Sequence, residues 1–401
     1  MPLAFKIVLW TCICAVVYNY AGYPILLFIL ASISQAFSDL GFFLSRQSRR
    51  APAGSAYQPR VAIILSVFNE EAVIQDRIEN VLSLRYPEHL TEILVGLDSP
   101  TDSTADILRE LGAPRTKLFC FNERRGKLGV ISELAQHTSS DILIFTDANT
   151  HFEPDCVANL VRHFQNPRVG VVSGEEVRTS GRNIDPAAEG IYWKYESALK
   201  ILESRLGLLH SANGGVYAIR RELFHPEANL IVEDFQIPLS VRFKNYFVVY
   251  DPEAIAIEEI APTLSSQVER RIRIGAGNWQ TLFQYPRYLN PLHGRPSFAY
   301  WSHRVLRWLT PFLLILAYGL SAGLLRDMPY RVLFGLQTVF YLFALIGYWR
   351  KKRNQSPGIC NIPLYFVTMN TTILLGFIRY ASGRQSMAWK ATPRTQNSRV
   401  E

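Results

Sequence analysis

Residues 61–82 read VAIILSVFNEEAVIQDRIENVL, a strand-length apolar run that passes directly into a helical repeat. Val61–Val67 has the continuous hydrophobicity of a strand buried on both faces. Asn69 then offers a helix cap, and Glu70 and Glu71 suit the positive end of a helix dipole. Val73, Ile74, Ile78, Val81 and Leu82 recur at helical spacing. The same unit repeats downstream, with a strand at Ile93–Leu97, a helix at Thr104–Leu111, a strand at Lys117–Phe121, a helix at Gly126–His137 and a strand at Ile142–Thr146. Pro154 opens another helix, and Val169–Ser173 gives another strand. This alternation, from about 61 to 260, predicts an α/β fold with a mostly parallel sheet and helices on both faces. Ligands of such sheets bind beyond the carboxyl ends of the strands. Asn69, Glu70, Asp98 and Asp147 all fall at those ends, which reads as a site.

Outward from this middle the composition changes. Residues 7–31 carry no charge and exceed the roughly 20 apolar residues that span a bilayer. The stretch is longer than a signal-peptide core and lacks a basic leader beyond Lys6, which favours an anchor over a cleaved signal. Three more candidate spans lie near 305–325, 332–349 and 361–378. The last contains Thr368, Asn370, Thr371 and Thr372, so it faces other helices or lies partly in the interface. Between them, residues 279–301 mix Trp279, Phe283, Tyr285, Tyr288, Phe298, Tyr300 and Trp301 with cations, a composition suited to lipid headgroups or to a surface helix.

The chain thus divides into an anchor (1–45), a soluble α/β domain (55–278), an interfacial segment (279–304), C-terminal spans (305–380) and a basic tail (381–401). The expected location is a multi-pass plasma (inner) membrane protein with its soluble domain in the cytosol. Arg350–Arg353 then lie on the cytosolic side, as the positive-inside rule requires, whereas Arg384, Lys390 and Arg394 do not, so the last segment has two topologies open to it. The formal charge of +8, from 42 basic and 34 acidic residues, collects beside apolar segments at Arg49, Arg50 and Arg350–Arg353. That placement indicates membrane lipids as partners and no nucleic acid, since no basic stripe with interleaved aromatics occurs. Five scattered cysteines form no CxxC pair, and the dispersed histidines show no metal-ligand spacing.

Five further features carry chemistry. Asp98, in LDSPTDST, can accept hydrogen bonds from a base or ribose, or simply make a turn. Asp147-Ala148-Asn149 places a carboxylate and an amide on one side of an extended segment, suited to Mg²⁺ or Mn²⁺ beside a phosphorylated ligand, or to a strand-end turn. Glu233-Asp234 precedes a helical stretch, where a carboxylate can deprotonate a hydroxyl acceptor or cap the helix. Gln267 and Arg271 share a helical face beside Arg270, as donors for phosphate oxygens or as a solvated basic helix. Arg124, Arg125, Gly126 and Lys127 open a helix and can cradle phosphate at its N-terminus, without Walker spacing.

Seven segments in order, VAIILSVFNEE, LDSPTDST, RRGKLGVISELA, FTDANT, ANGGVYAIRRELF, VEDFQIPLSVRF and QVERRIRIGAGNWQ, resemble the family 2 glycosyltransferases. The likeness is to the membrane-bound group containing cellulose, hyaluronan and poly-N-acetylglucosamine synthases. It covers about 55 to 280, and implies a GT-A type nucleotide-sugar-binding domain, divalent-metal dependence (Mg²⁺ or Mn²⁺) and inversion at the anomeric carbon. Carried over, Asp98 contacts the nucleotide, Asp147 sits at the diphosphate and metal with Asn149, and Asp234 is the general base. Asn69, Glu70 and Lys127 join the donor site. Glu233, Gln267, Arg270 and Arg271 lie toward the acceptor and diphosphate, the last three matching the family's Gln-x-x-Arg-Trp segment. Trp389 and Thr392–Arg394 resemble the family's tail. Asn149 stands where the family often has a second Asp, and Arg271 where processive members usually have Trp. The implied partners are a nucleotide-diphosphate sugar, a carbohydrate or lipid-linked acceptor, and export or synthase subunits. Polysaccharide assembly, glycosylation of a membrane lipid and an inactive sugar-nucleotide-binding scaffold are the competing functions; Asp98, Asp147 and Asp234 together argue against the scaffold.

Overall fold

The structure, a computed structural model, describes residues 3–45, 57–179, 186–259, 264–353 and 355–385. Arg49, Arg50, Trp389, Lys390 and Thr392–Arg394 lie outside the described residues.

Along the chain, helices α1 (Leu3–Val17) and α2 (Tyr23–Ser45) precede β1 (Val61–Val67), α3 (Ile74–Leu82), β2 (Thr91–Asp98) and α4 (Thr104–Leu111). There follow β3 (Thr116–Phe121), α5 (Gly126–Gln136), β4 (Ile142–Thr146), β5 (Thr150–Phe152) and α6 (Cys156–Arg162). Then come β6 (Val169–Thr179), α7 (Pro186–Arg205), β7 (Tyr217–Arg220), α8 (Glu233–Phe243) and β8 (Phe247–Glu259). The remainder is helical: α9 (Leu264–Gln284), α10 (Arg295–Ala299), α11 (Leu306–Gly323), α12 (Met328–Lys352) and α13 (Asn361–Ala381). Two compact units result, one drawing on Met1–Leu30, Asn183–Leu199 and Gln267–Gln385, the other on Ala31–Arg182 and Lys200–Ser266.

The second unit is built on one eight-stranded sheet in the order β3-β2-β1-β4-β7-β6-β8-β5. Its first four strands are parallel, as the strand–helix alternation predicts. The other half is mixed, because β7 runs antiparallel to both β4 and β6 while β6 and β8 pair in parallel. β1 shows why an apolar run was needed. Val61, Ile63, Leu65 and Val67 bury against α3, α4 and α6, while Ala62 and Ile64 bury against α5 and α8 on the opposite face. Gly96 of β2 sets how closely α5 lies on the sheet, since an added Cβ would stand 2.3 Å from Val130 Cγ1. The cap expected at Asn69 is not formed. α3 starts at Ile74, and Asn69 sits at φ 51°, a left-handed position that asparagine tolerates better than most residues.

In the first unit Leu9 and Cys12 of α1 cluster with Ala317 of α11 and with Leu324 just beyond it. Among the described residues four helical stretches, Leu3–Leu44, Arg295–Gly323, Met328–Lys352 and Gly358–Ala381, are long and apolar enough to cross a membrane. Asn370 and Thr372 of the last are buried, as their polarity predicts, whereas Thr368 is half-buried and Thr371 is exposed. The interfacial aromatics divide: Phe283, Phe298 and Trp301 are exposed, whereas Trp279, Tyr285, Tyr288 and Tyr300 fill this unit's interior. Trp279 also donates its indole N–H to the Ile373 carbonyl at 3.2 Å.

α9 and α13 meet at a pair of glycines. A Cβ on Gly376 would lie 2.7 Å from the Gly275 carbonyl carbon and 2.8 Å from the Ala276 nitrogen. The neighbouring atoms are backbone, so they cannot rotate away. Gly376→Leu is therefore expected to destabilise the protein by about 2 kcal/mol or more, lowering its melting temperature in detergent by roughly 5 °C. An unchanged melting temperature would contradict this close crossing.

Candidate active site

Sheet register assembles one edge. Val67 pairs with Leu97 and Leu65 with Thr146, so β1, β2 and β4 end side by side and release Asn69, Asp98 and Asp147 there. Tyr217 pairs with Phe145 in the antiparallel sense, which brings the preceding Gly214-Gly215 to the same edge.

Asp98 is buried at the end of β2 and accepts three hydrogen bonds from the protein. The donors are the Arg125 N–H at 2.6 Å, the Gly126 N–H at 3.1 Å and Arg124 Nε at 3.1 Å. The carboxylate thereby occupies the positive N-terminus of α5. This changes the reading of the RRGK segment as a phosphate cradle, because those backbone donors are already engaged. Arg124 also lies over the Phe68 ring, 3.3 Å from its centroid, and Arg125 pairs with Glu133 at 3.2 Å.

With the loop so held, Lys127 stands on the first turn of α5. Its Nζ is 2.8 Å from Asp147 Oδ1 and 3.0 Å from Glu233 Oε1. Burial alone would lower the pKa of this ammonium, but the Asp147 and Glu233 carboxylates hold it well above the ordinary lysine range. The magnitudes agree: each contact near 3 Å contributes about 5 kcal/mol at an effective dielectric near 20, against several kcal/mol for removing one ion from water. Asp234 contributes to the same field.

Glu233 and Asp234 are the first two residues of α8, a favourable place for carboxylates. Asp234 is brought close by a missing side chain, since a Cβ on Gly214 would lie 2.8 Å from its Oδ2. Its backbone carbonyl also accepts from the Ala212 N–H at 3.0 Å. Tyr217 completes the group, a residue that sequence reasoning did not single out. Its buried hydroxyl has no hydrogen-bond partner among the described residues, and burial and the nearby Glu233 push its pKa well up. The ANGGVYAI segment held the only sequence signal for it.

Other predicted residues are placed differently. Asn69 donates to Thr101 Oγ1 at 3.0 Å and accepts from the Thr101 N–H at 2.8 Å. Glu70 is buried, and its N–H donates to Thr104 Oγ1 at 2.9 Å. Both thus brace the turn that follows β2. Gln267, Arg270 and Arg271 lie on α9, in the other compact unit. There Arg271 reaches Met369 Sδ at 2.8 Å and lies 5.1 Å from the Tyr365 ring centroid.

Among the described residues no three His, Cys, Asp or Glu side chains come together as a metal site. Asp147 uses Oδ1 for Lys127, and its Oδ2 makes no hydrogen bond to a described residue. Among the described residues Asn149 uses only its Nδ2, toward Glu258 Oε1 at 3.5 Å. One carboxylate oxygen and one amide oxygen make too few ligands for an independent ion site. They fit a divalent cation whose remaining ligands are phosphate and water oxygens.

Residues 62–225 match the family described as glycosyl transferase family 2. A poly-beta-1,6-N-acetyl-D-glucosamine synthase of Staphylococcus epidermidis is 24% identical over 231 residues, 56% of this chain and 56% of that protein. The same enzyme of Staphylococcus aureus (strain COL) is 22% identical with the same coverage. The match thus spans little more than half the length of these curated relatives. Among solved structures, the mannosyltransferase PcManGT of Pyrobaculum calidifontis, in complex with GDP-Man and Mn²⁺, covers 94% of this chain and 100% of its own. It superposes with a TM-score of 0.70 at 20% identity, which establishes the shared fold. The chain therefore carries a glycosyl transferase family 2 domain of GT-A fold over residues 62–225.

Proposed function

We propose that this protein transfers a sugar from a nucleotide-diphosphate donor to a membrane-proximal acceptor, with inversion, in the assembly of a cell-envelope or exported polysaccharide. The observation that supports it is the contact of Lys127 with Asp147 and Glu233, beside Asp234, at the carboxyl edge of the sheet. The names of the relatives support a carbohydrate polymer as product, and the donor in the neighbour's complex supports the nucleotide-diphosphate class. The helices long enough to cross a membrane support an acceptor near the bilayer, with the catalytic domain in the cytosol, where nucleotide sugars are made.

In this reading Asp147 and Asn149 hold a divalent cation, Mg²⁺ or Mn²⁺, together with the donor diphosphate. The cation's chemistry is to neutralise charge on the departing nucleoside diphosphate. Lys127 adds a fixed positive charge beside that group. Glu233 is ion-paired to Lys127, and Asp234, the next residue at the start of α8, is the general base. The acceptor hydroxyl loses its proton to Asp234, its oxygen forms the new bond to the anomeric carbon, and the bond from that carbon to the phosphate oxygen breaks. A single displacement of this kind inverts the anomeric centre.

A second reading, addition of one sugar to a membrane lipid, has its own support. Arg271 replaces the aromatic residue of processive members and is engaged by Met369 and Tyr365. Sizing the radiolabelled product made by membranes from a panel of nucleotide sugars divides the two: long chains support the first reading and a single glycolipid the second.

Asp234→Asn is expected to retain donor binding while transfer falls by about 10³-fold; turnover near that of the parent would remove the base assignment. Asp147→Ala is expected to lose the Mn²⁺-dependent part of donor affinity, read by calorimetry. Undiminished affinity at saturating Mn²⁺ would contradict its place at the diphosphate.

A further inference from the structure

Arg77, on α3, is buried in the sheet unit, and no carboxylate lies within ion-pair distance of it among the described residues. Burying a guanidinium costs several kcal/mol unless its surroundings compensate, and a leucine or methionine would fill the same space without that penalty. Burial indeed lowers its pKa, although it stays protonated at neutral pH, and Asp147 is one of the charges that opposes the shift. What compensates Arg77 is a single turn. Its Nη2 donates to Thr146 Oγ1 at 2.7 Å, its Nη1 donates to Asn80 Oδ1, and its plane lies 4.4 Å from the Phe152 ring centroid. One helical turn further on, Asn80 takes hold of the backbone of the same Phe152. Its Nδ2 donates to the Phe152 carbonyl at 2.9 Å, and its Oδ1 accepts from the Phe152 N–H at 2.9 Å. Thr146 and Phe152 are the two ends of the segment that carries Asp147 and Asn149. Two side chains at i, i+3 spacing on one helix therefore grip both ends of the β4–β5 turn.

We infer that Arg77 and Asn80 are positioning residues which fix the Asp147–Asn149 turn and so set how tightly a divalent cation and a nucleoside diphosphate are held together there. This rests on the donor-site reading given above. Neither residue touches the reacting atoms. They act through the turn that carries Asp147 and Asn149.

The test uses the full chain in detergent, with Arg77→Met, Arg77→Lys and Asn80→Ala beside the parent. Hydrogen–deuterium exchange of residues 146–152, without ligand, reads the clamp. Mn²⁺ titration in the presence of UDP, and separately of GDP, followed by the electron paramagnetic resonance of free Mn²⁺, reads its consequence. In Arg77→Met, exchange in 146–152 is expected to accelerate and Mn²⁺ affinity in the presence of nucleotide to fall by about tenfold, the usual scale for groups that orient metal ligands. Arg77→Lys, which keeps the charge, should lie between Arg77→Met and the parent. Unchanged Mn²⁺ affinity in an Arg77→Met protein that melts like the parent overturns the inference, as does unchanged exchange across the turn. Should Arg77→Met not fold, the same two measurements on Arg77→Lys and Asn80→Ala decide, and parental values in both overturn it. A parent that binds Mn²⁺ with neither UDP nor GDP refutes the donor-site reading itself, and this inference with it; a clamp failure shows instead as unaltered exchange with nucleotide-dependent Mn²⁺ binding intact.

Discussion

The ammonium of Lys127, held between Asp147 and Glu233, is the interaction on which the rest of the site depends. Each carboxylate comes from a different element, the end of β4 and the start of α8, and the lysine comes from a third, α5. None of the three positions is favourable alone, because crowded like charges repel and a half-buried ammonium loses hydration. Together they satisfy one another, and the fold must deliver all three to within 3 Å. Asp98 supplies the precision: by taking the N–H groups of Arg125 and Gly126 it fixes the first turn of α5, and so where Lys127 can reach.

Absent side chains matter as much as present ones. Gly96 lets α5 settle on β2, and Gly214 lets the Asp234 carboxylate approach the strand that begins at Tyr217. At both places an added Cβ would meet another residue's side chain at under 3 Å, so the positions of Lys127 and Asp234 rest on glycine for closeness and not for backbone freedom. The glycines of α9 and α13 do the same for two helices in the other unit. In both units, small residues set the distances on which polar groups elsewhere rely.

What could be read from sequence follows from the range of each interaction. β1, α4 and β4 were legible to the residue, because strand and helix periods are local and the segments are long enough to show them. Asp147, Glu233 and Asp234 were legible as candidates from their places at a strand end and a helix start, although a turn or a helix cap uses the same residues there. β5 and β7 were not, being three and four residues long and too short to display a period. Asn69 misled because an asparagine before two glutamates has the local signature of a cap, whereas its amide is held by Thr101, far along the chain. Tyr217, Arg77 and Asn80 escaped for the same reason. Each looks like an ordinary strand or helix residue until β4, β5 and β7 are seen beside it.

The charge balance of the site bears on the proposed chemistry. Asp147, Glu233 and Asp234 carry three formal negative charges against the single positive charge of Lys127, and Arg77 beneath the turn offsets only one more. A diphosphate donor brings about two further negative charges to the same edge, and at an effective dielectric near 20 each unscreened pair at 4 Å costs about 4 kcal/mol. Lys127 cannot offset that, because both of its close contacts are already to carboxylates. On the proposed function, a divalent cation arriving with the donor would reverse the sign of the local field, and Asp147 Oδ2 and the Asn149 amide oxygen would be the protein's contribution to its shell. The acidic excess would thus repel a bare nucleotide sugar and attract its metal complex. On this argument an asparagine in place of a second aspartate is a consistent choice, since it supplies an oxygen ligand without adding to a negative charge that is already in surplus.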